Sequence, residues 1–427
     1  MKKLKYLFCL SFALFLAACA NDDDNSDPID LLSRRTIMVY TCGDNNISGS
    51  LEKDLEEMKE GSKLLSPDCN LIVFADFNSK NPYIVEISNG QSRTVKKYNN
   101  DFYATSPDSM LSVFQWIVDN YPAYEYSLVM EGHGSGPIVR KDSIQTNLTK
   151  LYAYGSDAAG EVSATSKESW LNIPSFAAVL SHIPHLEYIF FDCCSMQTVE
   201  VAYELRKYAD YIIAPASETP GPGAPYNTVV PVLSADKDLV GKEIIDRYIE
   251  DTNWGYTGGI SISSIKTSEL EPLMYATRTA LHNLYKEKGV GEKLHLNNSH
   301  SIYYYRHSES AKIPVLHDIK NIMLNSLSAD AYNTWLPYLE RAVSYKYMPV
   351  CKSGNTYWKS YLGINFNDFT VEDSNYSGLS MIVPNDNYDM SELQTIPYPS
   401  INKTMFKLEW INAIGWQSLG WPKPSQQ

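Results

Sequence analysis

Two segments of this sequence bring together residue types that can cleave an acyl bond. One is Asp192-Cys193-Cys194, which directly follows an apolar run of aromatic and β-branched residues. The other is Gly132-His133-Gly134, in which the glycines free the backbone and leave the imidazole open to a cleft. A cysteine beside a histidine is a nucleophile with its general base. The residue types therefore point to covalent catalysis by a thiol.

Each of these residues also has a structural interpretation. A buried cysteine is usually an inert part of the core, and a histidine between glycines can simply belong to a loop. The presence of both, each directly after an apolar run, favours catalysis. Cys193 follows its run immediately and is expected to pack inward, so that Cys194 points towards the cleft.

The apolar runs before both segments have the length and composition of buried strands, Leu186–Phe191 and Ser127–Met130. Apolar side chains recur at helical spacing over 196–208, which predicts a helix directly after Cys194 whose dipole favours a thiolate. Open α/β sheets place their sites at the carboxyl ends of such strands. The rest of the chain continues the alternation, with strands at 36–41, 70–75 and 211–216, helices at 51–64, 109–120 and 174–180, and an edge hairpin formed by 83–87 and 93–98.

These motifs resemble the clostripain family of cysteine peptidases, which belongs to the caspase-like clan. The resemblance is carried by Glu131-Gly-His133-Gly, by Phe191-Asp-Cys-Cys194-Ser-Met with the following 200–205, and by the early segment 37–46 that ends in Asp-Asn-Asn. The family usually has Asp-Ala-Cys where this chain has Asp-Cys-Cys. The resemblance implies a caspase-like α/β/α sandwich with a mostly parallel central sheet, followed by a helical or mixed C-terminal region.

The resemblance also implies roles for single residues. It makes Cys194 the nucleophile, His133 its partner, and Asp192 an acidic residue that helps to line the pocket for a basic side chain. Peptide hydrolysis would pass through a thioester, with backbone N–H groups of Gly134 and Cys194 as donors to the oxyanion. Asp192 has an alternative role, as the cap of a helix that begins at Cys193. The resemblance implies that Cys194 and His133 work as a dyad.

Specificity and activation depend on two loops. Family members commonly cleave themselves at a basic residue between the two catalytic strands, where this chain has the long polar segment 138–169; a plain surface loop is the alternative. Relatives often carry a further acidic residue in the loop that corresponds to 217–226. Glu218 is the only candidate there, so we expect an incomplete preference for Arg or Lys before the scissile bond.

The N-terminus predicts export and lipidation. Residues 1–18 have the charged start and apolar core of a signal peptide. It ends in Leu16-Ala-Ala-Cys19, which resembles a bacterial lipoprotein signal and implies lipidation of Cys19 and a location at the outer membrane or cell surface. An acidic tether would follow over 19–33, then a catalytic core over 34–235 and a C-terminal part over 236–427 packed on the core.

The composition of the chain limits the classes of partner that it can be expected to bind. A net charge of -14 and a pI near 5.1 argue against nucleic acid. The cysteines left after Cys9 and Cys19 show neither a disulfide framework nor a zinc pattern, so we expect free thiols, no metal and no other cofactor. We expect a monomeric endopeptidase acting on peptides or proteins. The alternatives are a hydrolase with a non-basic target and a surface binding lipoprotein with a vestigial site.

Overall fold

The structure, a computed structural model, describes residues 32–137, 154–157, 169–217, 219, 221–250, 260–291, 294, 303–306, 314–347, 372–384 and 401–421. The chain divides into two compact units, Met1–Leu32 and Ser33–Gln427, and the following description concerns the second. The predicted signal peptide, the lipidation site Cys19 and nearly all of segment 138–169 lie outside the described residues. Of the part that is described, no helix combines the length and apolar character needed to cross a membrane.

The second unit alternates strands and helices along most of its length. The strands are β1 Ser33–Gly43, β2 Cys69–Phe77, β3 Tyr83–Ser88, β4 Gln91–Lys97, β5 Ala123–Glu131, β6 Tyr154–Asp157, β7 Ser169–Leu171, β8 Leu186–Asp192, β9 Ala209–Pro215, β10 Ile262–Lys266, β11 Tyr303–Arg306, β12 Pro314–Asp318, β13 Val343–Lys346 and β14 Ser380–Ile382. The helices are α1 Ser48–Gly61, α2 Pro107–Asn120, α3 Ile173–Leu180, α4 Val199–Leu205, α5 Tyr226–Val232, α6 Lys237–Glu250, α7 Leu270–Lys288, α8 Ile319–Ser326, α9 Ala329–Ala342, α10 Ile401–Thr404 and α11 Glu409–Ile414.

A nine-stranded sheet in the order β13-β10-β9-β8-β5-β1-β2-β3-β4 forms the centre of the described fold. The five strands from β9 to β2 are parallel, and an antiparallel pair extends the sheet at each edge. The edge hairpin β3–β4 turns at Asn89 and Gly90, which both have positive φ, as its Asn-Gly signal predicts. The predicted mostly parallel α/β sheet is confirmed.

The five parallel strands of the sheet are buried on both faces along most of their length. In β1, Ile37 and Val39 pack into a core shared with α1, α5 and α6, whereas Met38 and Tyr40 pack into the opposite core. Successive strand residues point to opposite faces, so a strand covered on both sides must be apolar throughout. This explains why the strand segments read as continuous apolar runs rather than alternating ones.

The helix after Cys194 is shorter than predicted. The sequence predicts a helix over 196–208, but α4 begins at Val199 and is capped by Thr198, whose hydroxyl accepts the N–H of Val201 at 3.1 Å. The buried Gln197 donates instead to the carbonyl of Ile212 at 3.2 Å, which anchors the intervening turn to β9. Helix capping by Asp192 is therefore wrong, and the expected helix dipole does not act directly at Cys194.

The C-terminal half contributes to the central sheet and to the surroundings of α4. Strands β10 and β13 extend the sheet beyond β9. Strand β14 lies beside the start of α4, where Ser380 N–H donates to the carbonyl of Gln197 at 3.1 Å and Ile382 N–H donates to the Glu200 carboxylate at 2.8 Å. The boundary after residue 235 stays a prediction.

Candidate active site

Register places His133 and Cys194 at the same edge of the sheet. Strands β5 and β8 are parallel neighbours that end on the pair Glu131 and Asp192, so His133 and Cys194 each lie two residues beyond it. The two loops touch: a Cβ added at Gly134 would lie 2.5 Å from the backbone carbonyl oxygen of Cys194. Only glycine permits this approach, which explains the residue after His133.

The two adjacent cysteines have opposite environments. Cys193 is fully buried, and its thiol donates to the carbonyl of Met130 at 3.1 Å. Burial raises the pKa of the Cys193 thiol well above its ordinary value, so this thiol stays protonated and a poor nucleophile. Cys194 is partly exposed. Cys193 thus packs inward, as predicted, and Cys194 is the thiol that solvent reaches. Among the described residues, Cys42, Cys69, Cys193 and Cys194 form no disulfide, while Cys351 lies outside that part of the chain.

Thr219 lies against the sulfur of Cys194. Its backbone N–H donates to Cys194 Sγ at 3.3 Å, and its hydroxyl oxygen lies 3.4 Å from the same atom. Ser195, which follows Cys194 in the chain, has a φ of 60° and donates its N–H to the carbonyl of Ser217 at 2.9 Å. This turn ties Cys194 to the loop after β9. Donors to sulfur favour the thiolate, so Thr219 takes over part of the role expected of the helix dipole.

His133 is held by two residues to which sequence analysis gave no role. Its Nε2 lies 2.7 Å from Oδ1 of Asn46, in the loop after β1. Its ring lies 6.3 Å from the ring of Trp170 in β7, with an angle of 33° between the planes. Asn46 lies in a motif that carries the family resemblance, so that resemblance was a usable signal. Trp170 lies next to the long connection and has no sequence pattern that marks it.

Asp192 is the last residue of β8, and its side chain is buried close to Cys194 in sequence. Its carboxylate accepts hydrogen bonds from the backbone N–H of Ala224 at 2.7 Å and from the hydroxyls of Tyr226 at 3.2 Å and Tyr248 at 2.8 Å. Burial raises the pKa of Asp192, and these hydrogen bonds act in the opposite direction. The loop 221–226 closes tightly over it, since a Cβ added at Gly223 would lie 2.6 Å from Asp192 Oδ2. The other predicted acid, Glu218, lies outside the described residues.

Further buried carboxyl groups lie near Asp192. Burial raises the pKa of Glu131 to about 8 and that of Asp54 to about 10, and the charge of Asp192 adds to both shifts. The hydroxyl of Thr41 donates to Glu131, and Tyr226 N–H donates to Glu57 at 3.0 Å. These buried carboxyl groups were missed by sequence analysis, because they come from separate segments. Since the pKa values of Glu131 and Asp54 lie above 7, both groups hold their protons at neutral pH.

The described residues include no group of three or more His, Cys, Asp or Glu side chains arranged to hold a metal ion. A thiol, an imidazole with a fixed partner and a buried carboxylate surround the carboxyl ends of β5 and β8. Gly134 and Cys194 lie at these ends, where their N–H groups were predicted to serve an oxyanion.

A match to a known family extends over most of the chain. Residues 39–413 match the model of the clostripain family. Clostripain of Hathewaya histolytica is 27% identical over 244 residues, which make up 49% of this chain and 45% of clostripain. The aligned part therefore spans less than half the length of that relative.

Two solved structures share the architecture. A secreted C11 cysteine protease from Bacteroides thetaiotaomicron, in complex with an irreversible peptide inhibitor, has a TM-score of 0.69 and 28% identity, covering 90% of this chain and 99% of its own. An inactive zymogen C11 protease from Parabacteroides distasonis has a TM-score of 0.69 and 23% identity, covering 91% of this chain and 99% of its own. The second likeness concerns the fold alone. The predicted caspase-like α/β/α sandwich is confirmed.

Proposed function

This chain belongs to the clostripain family, and we propose that it is a cysteine endopeptidase with Cys194 as nucleophile and His133 as acid–base residue. The observation that carries the proposal is the pairing of Glu131 with Asp192 at the ends of two neighbouring strands. Because of this pairing, His133 and Cys194 lie at corresponding positions beyond those strands. The exposed thiol of Cys194 and the buried thiol of Cys193 support the choice of nucleophile. The substrates are peptides or proteins.

The reaction has two halves. His133 takes the proton of the Cys194 thiol, and the sulfur attacks the scissile carbonyl carbon to form a tetrahedral intermediate. Backbone N–H groups of Gly134 and Cys194 stabilise its oxyanion. Collapse gives a thioester as His133 returns the proton to the departing amine. Water then attacks the thioester with His133 as base, which releases the acid and regenerates the thiol.

We assign a basic residue to the P1 position, immediately before the scissile bond, because Asp192 is a carboxyl group that lies only two residues before the proposed nucleophile. A charged guanidinium or ammonium above Asp192 would be paired with a carboxylate already oriented by three hydrogen bonds. Glu218 is the proposed second acid of the pocket. The preference is expected to be incomplete if Glu218 points away.

A library of fluorogenic peptides varied only at P1 tests this function. We expect turnover of Arg and Lys peptides to exceed that of uncharged ones, by about 10-fold or more if a charge-assisted pair forms in the transition state. Turnover without any charge preference would favour a hydrolase with a non-basic target. The lack of turnover for all peptides would favour the surface binding protein with a vestigial site.

We also propose that the chain cleaves itself within 138–169. This segment joins the two catalytic strands and contains Arg140, Lys141, Lys150 and Lys167. Cleavage after one of these residues is expected, because the proposed P1 preference is for basic side chains and long polar connections are sites of proteolysis. Intact mass spectrometry should show two fragments for the wild-type chain and one full-length species for Cys194→Ala. A single full-length chain with full activity would contradict self-activation.

For localisation we propose a lipoprotein anchored through Cys19 and exposed at the outer membrane or cell surface. The supports are the signal-like segment 1–18 with its terminal cysteine and the relative that is described as secreted. Two acyl chains suffice for stable anchoring. Incorporation of labelled palmitate into the wild-type chain but not into Cys19→Ser is the expected result. Equal incorporation in both would rule out lipidation at this residue.

A further inference from the structure

We propose that Asn46 is a positioning residue that orients His133 and selects the tautomer in which Nδ1 accepts the thiol proton. This inference rests on the proposed function, since it assigns His133 the acid–base role. The observation that carries it is the 2.7 Å contact between Nε2 of His133 and Oδ1 of Asn46. The distance lies at the short end of the normal range for N–H···O hydrogen bonds.

The loop that carries Asn46 is fixed from both sides. The side-chain amide of Asn45 donates to the carbonyl of Cys42 at 3.0 Å, and its oxygen accepts the N–H of Ile47 at 3.0 Å. Asn78, beyond the end of β2, donates to the carbonyl of Asn45 at 2.8 Å. Asn45 thus holds the turn, and the exposed Asn46 next to it is available for His133. A fixed acceptor can orient an imidazole at little entropic cost.

Trp170 restrains the same imidazole. Its ring lies 6.3 Å from the His133 ring at an angle of 33°, and its side chain is itself buried. An indole near the imidazole limits rotation of the ring, while Asn46 fixes one nitrogen within the ring plane. The Trp170 contact limits rotation of the His133 ring, and the Asn46 hydrogen bond fixes the position of Nε2. Together they restrict the orientation of the His133 ring.

The contact has a chemical consequence because the two imidazole nitrogens have different roles. When Nε2 carries its proton and donates to the Asn46 oxygen, the lone pair of the neutral ring lies on Nδ1. Nδ1 then takes the Cys194 proton and later gives it to the amine. The amide oxygen also stabilises the imidazolium that forms in between, without itself titrating. The opposite tautomer would put the lone pair on Nε2, next to the Asn46 oxygen, and the ring would have no proton there to donate to it.

Substitution at Asn46 separates this role from a general effect on the fold. Asn46→Leu keeps the approximate shape of the side chain but removes the acceptor. We expect kcat to fall about 10- to 100-fold, the loss typical when a partner that orients a metal-bound histidine is removed, with KM nearly unchanged. Asn46→Asp retains an acceptor oxygen and is expected to restore most of kcat. Asn45→Ala is the matched control: it breaks the bonds that hold the loop and should lower the melting temperature, which Asn46→Leu should not.

The direct readout is the ¹⁵N chemical shift of the His133 ring in the full-length chain, measured in the Cys194→Ala background. We expect the Nε2–H tautomer with Asn46 present and a mixture of tautomers in Asn46→Leu. An unchanged tautomer together with wild-type kcat in Asn46→Leu would overturn the inference, as would a loss of kcat that Asn46→Asp does not reverse. If Cys194→Ala itself kept full activity, the proposed function would fail first, which distinguishes the two cases.

Discussion

Replacing Cys194 with alanine is expected to lower kcat/KM for basic-P1 peptides by at least about 10⁴-fold, the scale seen when a covalent nucleophile is removed. Cys193→Ala is expected to retain most of the activity. Both substitutions remove one sulfur atom from the same turn of the chain. The contrast between them therefore isolates the chemical role of the thiol from its effect on packing.

The expected difference follows from the surroundings of the two thiols. Cys193 is fully buried and donates to the carbonyl of Met130 in β5. The high pKa that burial gives this thiol keeps the thiolate population small at neutral pH. Cys194 is partly exposed and receives the N–H of Thr219. Of these two thiols, Cys194 is the one that combines exposure to solvent with a donor that favours the thiolate.

Thermal unfolding of both variants is the control for this pair. Cys193→Ala leaves a small cavity in the core and should cost about 1 kcal/mol of stability, whereas Cys194→Ala should cost less. Cys194→Ala is thus expected to lose more activity, and Cys193→Ala is expected to lose more stability. A dead Cys193→Ala enzyme beside an active Cys194→Ala enzyme would shift the nucleophile by one residue.

Asp192→Asn is expected to lower kcat/KM for Arg and Lys substrates much more than for uncharged ones. A hydrogen bond to a charged partner contributes about 1.5–3 kcal/mol, which corresponds to about 10- to 150-fold in rate if it forms only in the transition state. The asparagine keeps the size of the side chain and one acceptor oxygen for Ala224, Tyr226 or Tyr248. The measured quantity is the ratio of kcat/KM values for peptides that differ only at P1.

Asp76→Asn is the matched control for this substitution. Asp76 is a buried carboxyl group in another strand, β2, and burial raises its pKa to about 10. Its replacement should change stability without changing the ratio of basic to uncharged substrates. Equal losses for both substrate classes in Asp192→Asn would mean that Asp192 supports the fold, and the pocket for P1 would then lie elsewhere.

The strands and the sheet edge could be predicted from sequence because their signals are local. A strand covered on both faces must be continuously apolar, so the runs before His133 and Cys194 identify β5 and β8. Parallel neighbours then bring their carboxyl ends together by geometry alone. The inward position of Cys193 could be predicted because this residue directly follows the buried strand. These steps needed no knowledge of which distant side chains meet.

The remaining features depend on contacts between distant segments. Thr219 reaches Cys194 across 25 residues and Asn46 reaches His133 across 87, and no periodic pattern marks either residue. The late start of α4 has a similar cause: the apolar spacing after Met196 is compatible with a helix, but the side chain of Gln197 bonds to backbone carbonyls of β9 and β10. Tertiary hydrogen bonds therefore override the local helical signal in the turn that follows Cys194.

The most direct measurement of the central claim is affinity labelling of the purified chain with a peptide chloromethyl ketone that carries Lys at P1. Peptide mapping by mass spectrometry then identifies the modified residue while residual activity is followed in parallel. We predict one label per molecule, on Cys194 and not on Cys193, with loss of activity in proportion to labelling and protection by a substrate peptide. Labelling of Cys193 with loss of activity, or full activity after complete modification of Cys194, would contradict the assignment of Cys194 as the nucleophile of a cysteine peptidase.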